Sequence, residues 1–570
     1  MKHLFTRGLV VATTGLALSA GLVSCNDLDL KPKYENTPDK VYVDLNGYRS
    51  VLAKVYGGFA VTGLGNDNAN GAAGGGDIAD IDEGTSDYIR QLWSAQELTT
   101  DEAVWTWPDP GVQDWHNMNW TASNVVVRGL YYRLYYEIAL CNEFIRESSD
   151  DKLNSRLSGA DVATAKRYRA EARFLRAVAY SHVVDLYGGG PFVIDTDPTA
   201  YTPPYRTRQQ LFEYVEQELL ALASSPEFAE PRTNEYGRVD KAAAWAMLSR
   251  LYLNANVYTA SVPGQNNGTA RYTDAARYAK QVIDAGYTLN TTAAGTVSSA
   301  YGRLFLADNH TAPARNEVIW PVTFDAANTR SFGGTSFLIN GSTGSGSTGW
   351  KNYVGMPSGW DGLRTTRNLV DVFGADTARG RDSRGRFWAQ GQTLDIDDVT
   401  KKEQGYGVVK YRNVTSSGTA IAQPLAPAFY FASTDFPMIR LAEVMLNYTE
   451  AVQRGGTGDA GLALGYVNQI RRRAYNKPIN TPDASVDFTS LTLDRLLDER
   501  QRELHWEGFR RSDLIRFDNM FTRVTTNPRS NWPFKGGSRT GRAVADTRVL
   551  FPIPASDRAV NPALPQNDGY

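Results

Sequence analysis

Apolar and polar positions along this chain alternate most often with the period of a helix. Between 164 and 187, Tyr168, Ala172, Leu175, Ala179, Val183 and Leu186 recur every three to four positions, while Lys166, Arg167, Arg169 and Glu171 fall on other faces. That spacing predicts an amphipathic helix, and Gly188, Gly189, Gly190 and Pro191 predict its end, because glycine loosens a helical backbone and proline breaks it. The same rhythm predicts helices at about 123–147, 208–224, 238–257, 273–285, 437–454, 459–475 and 491–516. In 437–454 the stripe is Ile439, Ala442, Met445, Tyr448 and Val452. Two stretches lose the rhythm: 57–84 is rich in glycine, and 333–349 is dominated by Gly, Ser and Thr. Both read as long irregular loops, which in a compact protein commonly carry function, and aromatic residues flank both.

The first residues follow a different pattern. Lys2 and Arg7 precede an apolar run over 9–20, which is too short to span a bilayer and has the form of a secretory signal. It ends in Leu22, Val23, Ser24 and Cys25, small and apolar residues before a cysteine, the pattern of a bacterial lipobox. The expectation is a signal peptide over 1–24, acylation of Cys25, and a polar tether over 25–37 that contains Pro32. Each buried methylene of an acyl chain adds about 0.8 kcal/mol, so more than one chain anchors stably. No later stretch is apolar enough for a membrane span. The chain has two cysteines, Cys25 and Cys141. Acylation of the first leaves Cys141, in the 123–147 helix, as a buried free thiol behaving like a small hydrophobe.

Composition narrows the chemistry. The formal charge of the 570-residue chain is −2, and loss of Lys2 and Arg7 with the signal leaves −4, which disfavours nucleic acid or an anionic surface as partner. His116, His182, His310 and His505 are not spaced as metal ligands, and neither a phosphate loop nor a Gly-x-Ser-x-Gly elbow is present. Asp77, Asp80, Asp82 and Glu83 do not match an EF-hand loop, so only an irregular calcium site is left open. The 12 Trp and 30 Tyr are a larger signal, and Trp93, Trp105, Trp107, Trp115 and Trp120 share one segment. Such rings suit sugar stacking and core packing alike, and abundance alone favours the core.

Three blocks carry a resemblance. They are 169–192, from Arg169 and Glu171 to Gly190 and Phe192; 499–514, with Glu499, Arg502, Glu503, Trp506, Gly508, Phe509, Arg510, Arg511 and Asp513; and 550–570, with Phe551, Pro552, Ile553, Pro554 and the ending Gln566, Asn567, Asp568, Gly569, Tyr570. Together they resemble the SusD/RagB family of surface-exposed, nutrient-binding lipoproteins. The resemblance implies a mostly α fold, a tetratricopeptide-like scaffold of helix pairs with long irregular loops and small β elements carrying the ligand platform. It implies one SusD-like domain over 38–570, with an N-terminal part to about 235 and a C-terminal SusD/RagB part from 236.

It further implies non-catalytic capture of an oligosaccharide outside the outer membrane, on a lipid anchor facing the exterior, and delivery to a SusC-like TonB-dependent transporter. No cofactor or resident metal is expected. Peptide or glycopeptide capture, or glycoside hydrolysis by two carboxylates, stay open alternatives at this level. Family loops that bear the platform correspond here to segments holding Asp77, Asp80 and Trp93, then Trp350 and Trp360; an Asp-x-Arg beside the platform is matched by Asp382 and Arg384. Carboxylates and an Arg fork can pair with sugar hydroxyls while an adjacent ring stacks. The paired charges of 499–514 read instead as a buried or half-buried ion network that fixes helix packing.

Overall fold

Capping side chains start most of the helices that the periodicity predicts. In the computed structural model, which describes residues 37–63, 76–199, 202–374, 380–424, 430–517 and 531–570, α1 spans Leu45–Gly57 and the Asp44 carboxylate accepts from the Gly47 N–H. α2 (Val125–Glu147) starts on Asn124, which accepts from the N–H groups of Val126 and Val127. α3 is Ala160–Leu186, and α4 (Arg208–Ser224) opens in a reciprocal capping box between Thr207 and Gln210. α5 (Lys241–Leu253) is capped by Asp240, and α6 is Tyr272–Asp284. Each such cap contributes about 1 kcal/mol by satisfying N–H groups that the first helical turn leaves open. α2 packs on α3, α3 on α4, α4 on α5 and α5 on α6, a succession of neighbouring helices of tetratricopeptide type. α3 ends at Leu186, just before the glycines, where Gly188 takes φ +75° with Leu550 packed against it.

Further helices are α7 (Gly334–Ser342), α8 (Thr348–Val354), α9 (Leu441–Gln453), α10 (Ala460–Ala474), α11 (Leu493–Leu504) and α12 (Arg510–Arg516). α9 packs on α6, α10 and α11 and so continues the helical stack. Short antiparallel ribbons sit between: β1 (Ala103–Trp105) with β3 (Leu363–Thr365), β2 (Val318–Val322) with β6 (Phe436–Arg440), and β4 (Phe387–Trp388) with β5 (Gly407–Val408). One apolar core runs from Tyr42 to Leu564. Cys141 is buried in it as a free thiol. The signal segment, Cys25 and the tether up to residue 36 lie outside the described residues.

Three sequence expectations are corrected. The stretch 333–349 is not an irregular loop: its first half is α7, buried at every position. Small residues let it approach its neighbours closely; a Cβ on Gly333 would lie 2.0 Å from that of Asp87, and one on Gly341 would lie 3.1 Å from Leu363. The 437–454 helix begins only at Leu441, because Phe436–Arg440 is extended and pairs with β2. The 491–516 helix is broken between Leu504 and Arg510, where Trp506 and Gly508 take φ +63° and +84°.

Beneath α11 the charged residues of the 499–514 block enter the core. Arg384, Arg440 and Arg473 are fully buried against Glu317, Glu499 and Glu503, with Arg384 Nη1 to Glu499 Oε1 at 2.7 Å, Arg440 Nη1 to Glu503 Oε1 at 2.7 Å and Arg473 Nη1 to Glu317 Oε2 at 3.1 Å. Arg440 also reaches Glu507, which in turn takes Lys410 at 2.6 Å. A second cluster joins Arg500 and Arg516 to Glu450 and Asp513. Burial would raise the Glu499 carboxyl, but Arg384, Arg471 and Arg502 outweigh it and bring it down to about 2. Glu450 follows the same logic: burial raises it, and Arg516, Arg454 and Arg500 bring it to about 2. The expectation of an ion network holds, and it reaches beyond the block: Arg510 pairs with Asp101 at 2.7 Å, while Asp513 pairs with Arg500 and Arg516.

Candidate functional site

The β1–β3 ribbon carries two rings toward the surface. Ala103 lies opposite Thr365 and Trp105 opposite Leu363, so both ends of the ribbon are in register. Two residues past β1's buried Trp105, Trp107 is half-buried, and Pro108, Asp109 and Pro110 beyond it are exposed. Its indole N–H donates to the Trp360 carbonyl at 2.9 Å. Thr106 donates its N–H to the Gly362 carbonyl and its hydroxyl to that of Asp361, while the Trp360 N–H donates to the Asn340 carbonyl at the end of α7. Gly362 is required here: a Cβ would lie 2.6 Å from the Trp107 ring.

These bonds set three half-buried rings side by side. Trp107 and Trp360 lie 6.4 Å apart, centroid to centroid, with planes turned by 41°; Trp360 and Phe332 lie 6.1 Å apart, turned by 59°. Phe431, buried, continues the row at 5.2 Å from Phe332. Phe332 itself is fixed through its backbone, its N–H donating to Glu83 at 3.2 Å and its carbonyl accepting from Arg90 Nη1 at 3.3 Å. The Arg90 guanidinium lies over Phe337 at 4.5 Å and Trp105 at 5.4 Å, and its Nε makes no hydrogen bond among the described residues. Burial lowers the Arg90 pKa, opposed by Asp82, Asp87, Glu83 and Asp109. The result is an apolar platform of rings tilted against one another, braced from within by the buried Arg90 and with the Asp82 and Asp109 carboxylates exposed. It matches a ligand with flat C–H faces and hydroxyl edges.

Of the six candidate ligand-binding residues, Trp360 alone joins this platform. Trp93 is fully buried, edge-on to Trp506 at 4.9 Å and to Phe337 at 5.6 Å, so it is core. Trp350 is fully buried beneath Trp388. Arg384 is consumed by Asp382, Glu499 and Glu503 and belongs to the ion network, because its guanidinium has no exposed surface from which to reach a ligand. Asp77 is held by Arg133 through two hydrogen bonds, of 2.5 and 3.1 Å. Asp80 is exposed, in the left-handed region at φ 61°. The acidic stretch contributes instead through Glu83, which accepts from the Phe332 N–H. Trp107 and Phe332 were not among the candidates, although Trp-x-Trp ahead of Pro-Asp-Pro, and a Phe ahead of paired glycines, were visible signals. Among the described residues no group of three or more His, Cys, Asp or Glu is placed to hold a metal ion.

The ribbon is fastened from below by two carboxyls. Glu97 Oε1 accepts from the N–H groups of Gly508 and Phe509 at 2.6 and 3.2 Å, and Glu102 Oε2 accepts from that of Trp506 at 3.3 Å. All three N–H groups belong to the break between α11 and α12. Burial, and then each other's proximity, raises Glu97 well above its ordinary value; burial raises Glu102 to about 7 against the pull of Glu97 and Arg510. The second oxygen of each carboxyl, Glu97 Oε2 and Glu102 Oε1, is buried without a hydrogen-bond partner among the described residues.

Residues 383–570 match the SusD family model. The whole chain is 31% identical to the starch-binding protein SusD of Bacteroides thetaiotaomicron, over 99% of that protein. A SusD homolog from the same species superposes with a TM-score of 0.67 at 18% identity, covering 94% of this chain and 99% of its own. The surface glycan-binding protein A of Bacteroides uniformis gives 0.63 at 21%, covering 92% and 99%. These two likenesses show the fold.

Proposed function

Because this chain belongs to the SusD family, we propose that it is a non-catalytic, cell-surface protein that captures an oligosaccharide on the platform of Trp107, Trp360 and Phe332. The observation that carries the reading is the row of three half-buried rings with planes turned by 41° and 59°. A chain of sugar rings that curves can stack on all three, whereas a flat ribbon-like glycan meets one or two. The relative named for starch binding, whose glucan is curved, points the same way, and a curved α-linked glucan is the cargo we assign. The exposed carboxylates of Asp82 and Asp109 supply acceptors for sugar hydroxyls. The proposal extends to acylation of Cys25, an outer-membrane position facing the exterior, and delivery of the glycan to a SusC-like TonB-dependent transporter. Among the described residues no helix is long and apolar enough to cross a membrane, which is compatible with a lipid anchor.

Affinity electrophoresis over a polysaccharide panel that includes amylopectin and a flat β-linked glucan tests the site. Wild-type protein is expected to be retained by amylopectin and Trp360→Ala to lose about 2 kcal/mol, roughly thirtyfold in affinity, with little change in thermal midpoint. Unchanged retention of Trp360→Ala, or shortened glycan products in the incubation, overturns the reading. Failure of the native protein to bring a TonB-dependent transporter out of outer membranes overturns the delivery step.

A further inference from the structure

A second ring lies outside the platform and is held as firmly. Trp350 and Tyr353 stand three residues apart on α8 and therefore share one of its faces. Trp388, on β4, lies across both: 5.4 Å from Trp350 with planes only 14° apart, and 6.0 Å from Tyr353. The fully buried Arg364 guanidinium also lies over the Trp350 ring, at 5.5 Å. Trp350 is fully buried and Trp388 half-buried, so the exposure of Trp388 is on the side turned away from α8.

The surroundings hold this indole rigid. Its N–H donates to the Gln390 carbonyl at 3.1 Å, and its backbone pairs with Gly407 on β5. Gly407 has no alternative, since a Cβ would lie 1.8 Å from the Trp350 ring. A ring fixed in this way loses little conformational entropy on stacking against a ligand. Asn352 and Gln390, exposed on the elements that hold it, carry amides suited to hydroxyls.

The stack is continuous with the platform. A Cβ on Gly344 would lie 3.0 Å from the Trp350 ring and 3.6 Å from Asp361 Oδ1, and the Ser345 N–H donates to that same oxygen at 2.9 Å. Asp361 follows Trp360. One turn thus braces both ring systems.

We propose that the outward face of Trp388 is a second sugar-stacking site, which grips a distant stretch of the same polysaccharide whose other part lies on Trp107, Trp360 and Phe332. This rests on the reading of that platform. Linking two weak contacts through one polymer raises the overall affinity without changing that of either alone. Length, and not only ring identity, then selects the cargo: polymers are held more tightly than short fragments.

Calorimetric titration of the full chain with maltotriose and with amylopectin tests this. Trp388→Ala is expected to weaken amylopectin binding about tenfold and leave maltotriose affinity unchanged, and Trp388→Phe, which keeps a ring, is expected to fall between. Thermal midpoints near the wild-type value separate loss of contact from loss of fold; if Trp388→Ala is misfolded, Trp388→Phe carries the test alone. Amylopectin affinity unchanged in the folded variants, or a loss equal for trimer and polymer, overturns the second site. Trp360→Ala without effect on maltotriose would overturn the platform instead, whatever Trp388 does.

Discussion

The ion network under α11 and the aromatic platform beside β1 are assembled from opposite materials. In the network, charged side chains hold charged side chains: Arg384, Arg440 and Arg473 are fully buried, and Glu503 is shared among all three. On the platform, every bond that holds a ring has a backbone group on at least one side: Trp107 donates to the Trp360 carbonyl, the Trp360 N–H to the Asn340 carbonyl, and the Phe332 N–H and carbonyl pair with Glu83 and Arg90. Side-chain networks demand particular residues at every node and tolerate little change. Backbone groups are supplied by any residue, so the bond at Trp360, backbone on both sides, leaves its ring free to differ while the scaffold stays. The network thus serves stability and the platform serves recognition, and each can be broken without the other.

The largest separation is expected from Glu503→Ala. It leaves Arg440 and Arg473 buried without their shared carboxylate, an uncompensated charge costing about 3–5 kcal/mol. Chemical denaturation should show that loss while the folded fraction keeps its affinity for polysaccharide. A change in affinity with unchanged stability would reverse the assignment of roles.

Acid acts on the network next. Glu450 and Glu499 lie near 2 in the folded chain against an ordinary value near 4.5, so the unfolded state binds their protons first. Their contribution is complete above about pH 4.5 and is lost as pH falls toward 2, by a few kcal/mol in sum. Stability measured from pH 5 downward should decline over that window; a flat profile would mean that the carboxylates are not held by their guanidinium partners.

The smallest effect expected is that of Gly362→Ala. The added methyl, 2.6 Å from the Trp107 ring, tilts one ring of the platform. A loss of about 1 kcal/mol, roughly fivefold in glycan affinity, is expected with the ion network intact, and an unaltered titration would show that Trp107 does not touch the ligand.

The same contrast explains what was legible in the sequence. The scaffold could be read because its signals are local: the period of α3, the caps at Asn124, Thr207 and Asp240, and the glycines after Leu186. The 499–514 block could be read as an ion network because its charges stand at helical spacing. Arg384 could not be assigned, because its partners Glu499 and Glu503 lie more than a hundred positions away. Trp93 and Trp360 both follow loop-like sequence, and only tertiary packing makes one core and the other surface. α7 escaped notice because glycine and serine conceal a helix whose burial comes from close backbone approach, not from apolar side chains.

The carboxyl pair beneath β1 turns the proton into a product of unfolding. Glu102 titrates near 7 in the folded chain and near 4.5 when free, and Glu97 is displaced in the same direction, so the native state binds the extra proton. At neutral pH unfolding releases it to solvent, and stability falls as pH rises from about 4.5 through 7, opposite in sign to the acid limb. The heat of unfolding therefore depends on which buffer receives the proton: comparison of phosphate with Tris at equal pH counts the protons released, to which Glu137, raised to about 8 by burial, also contributes.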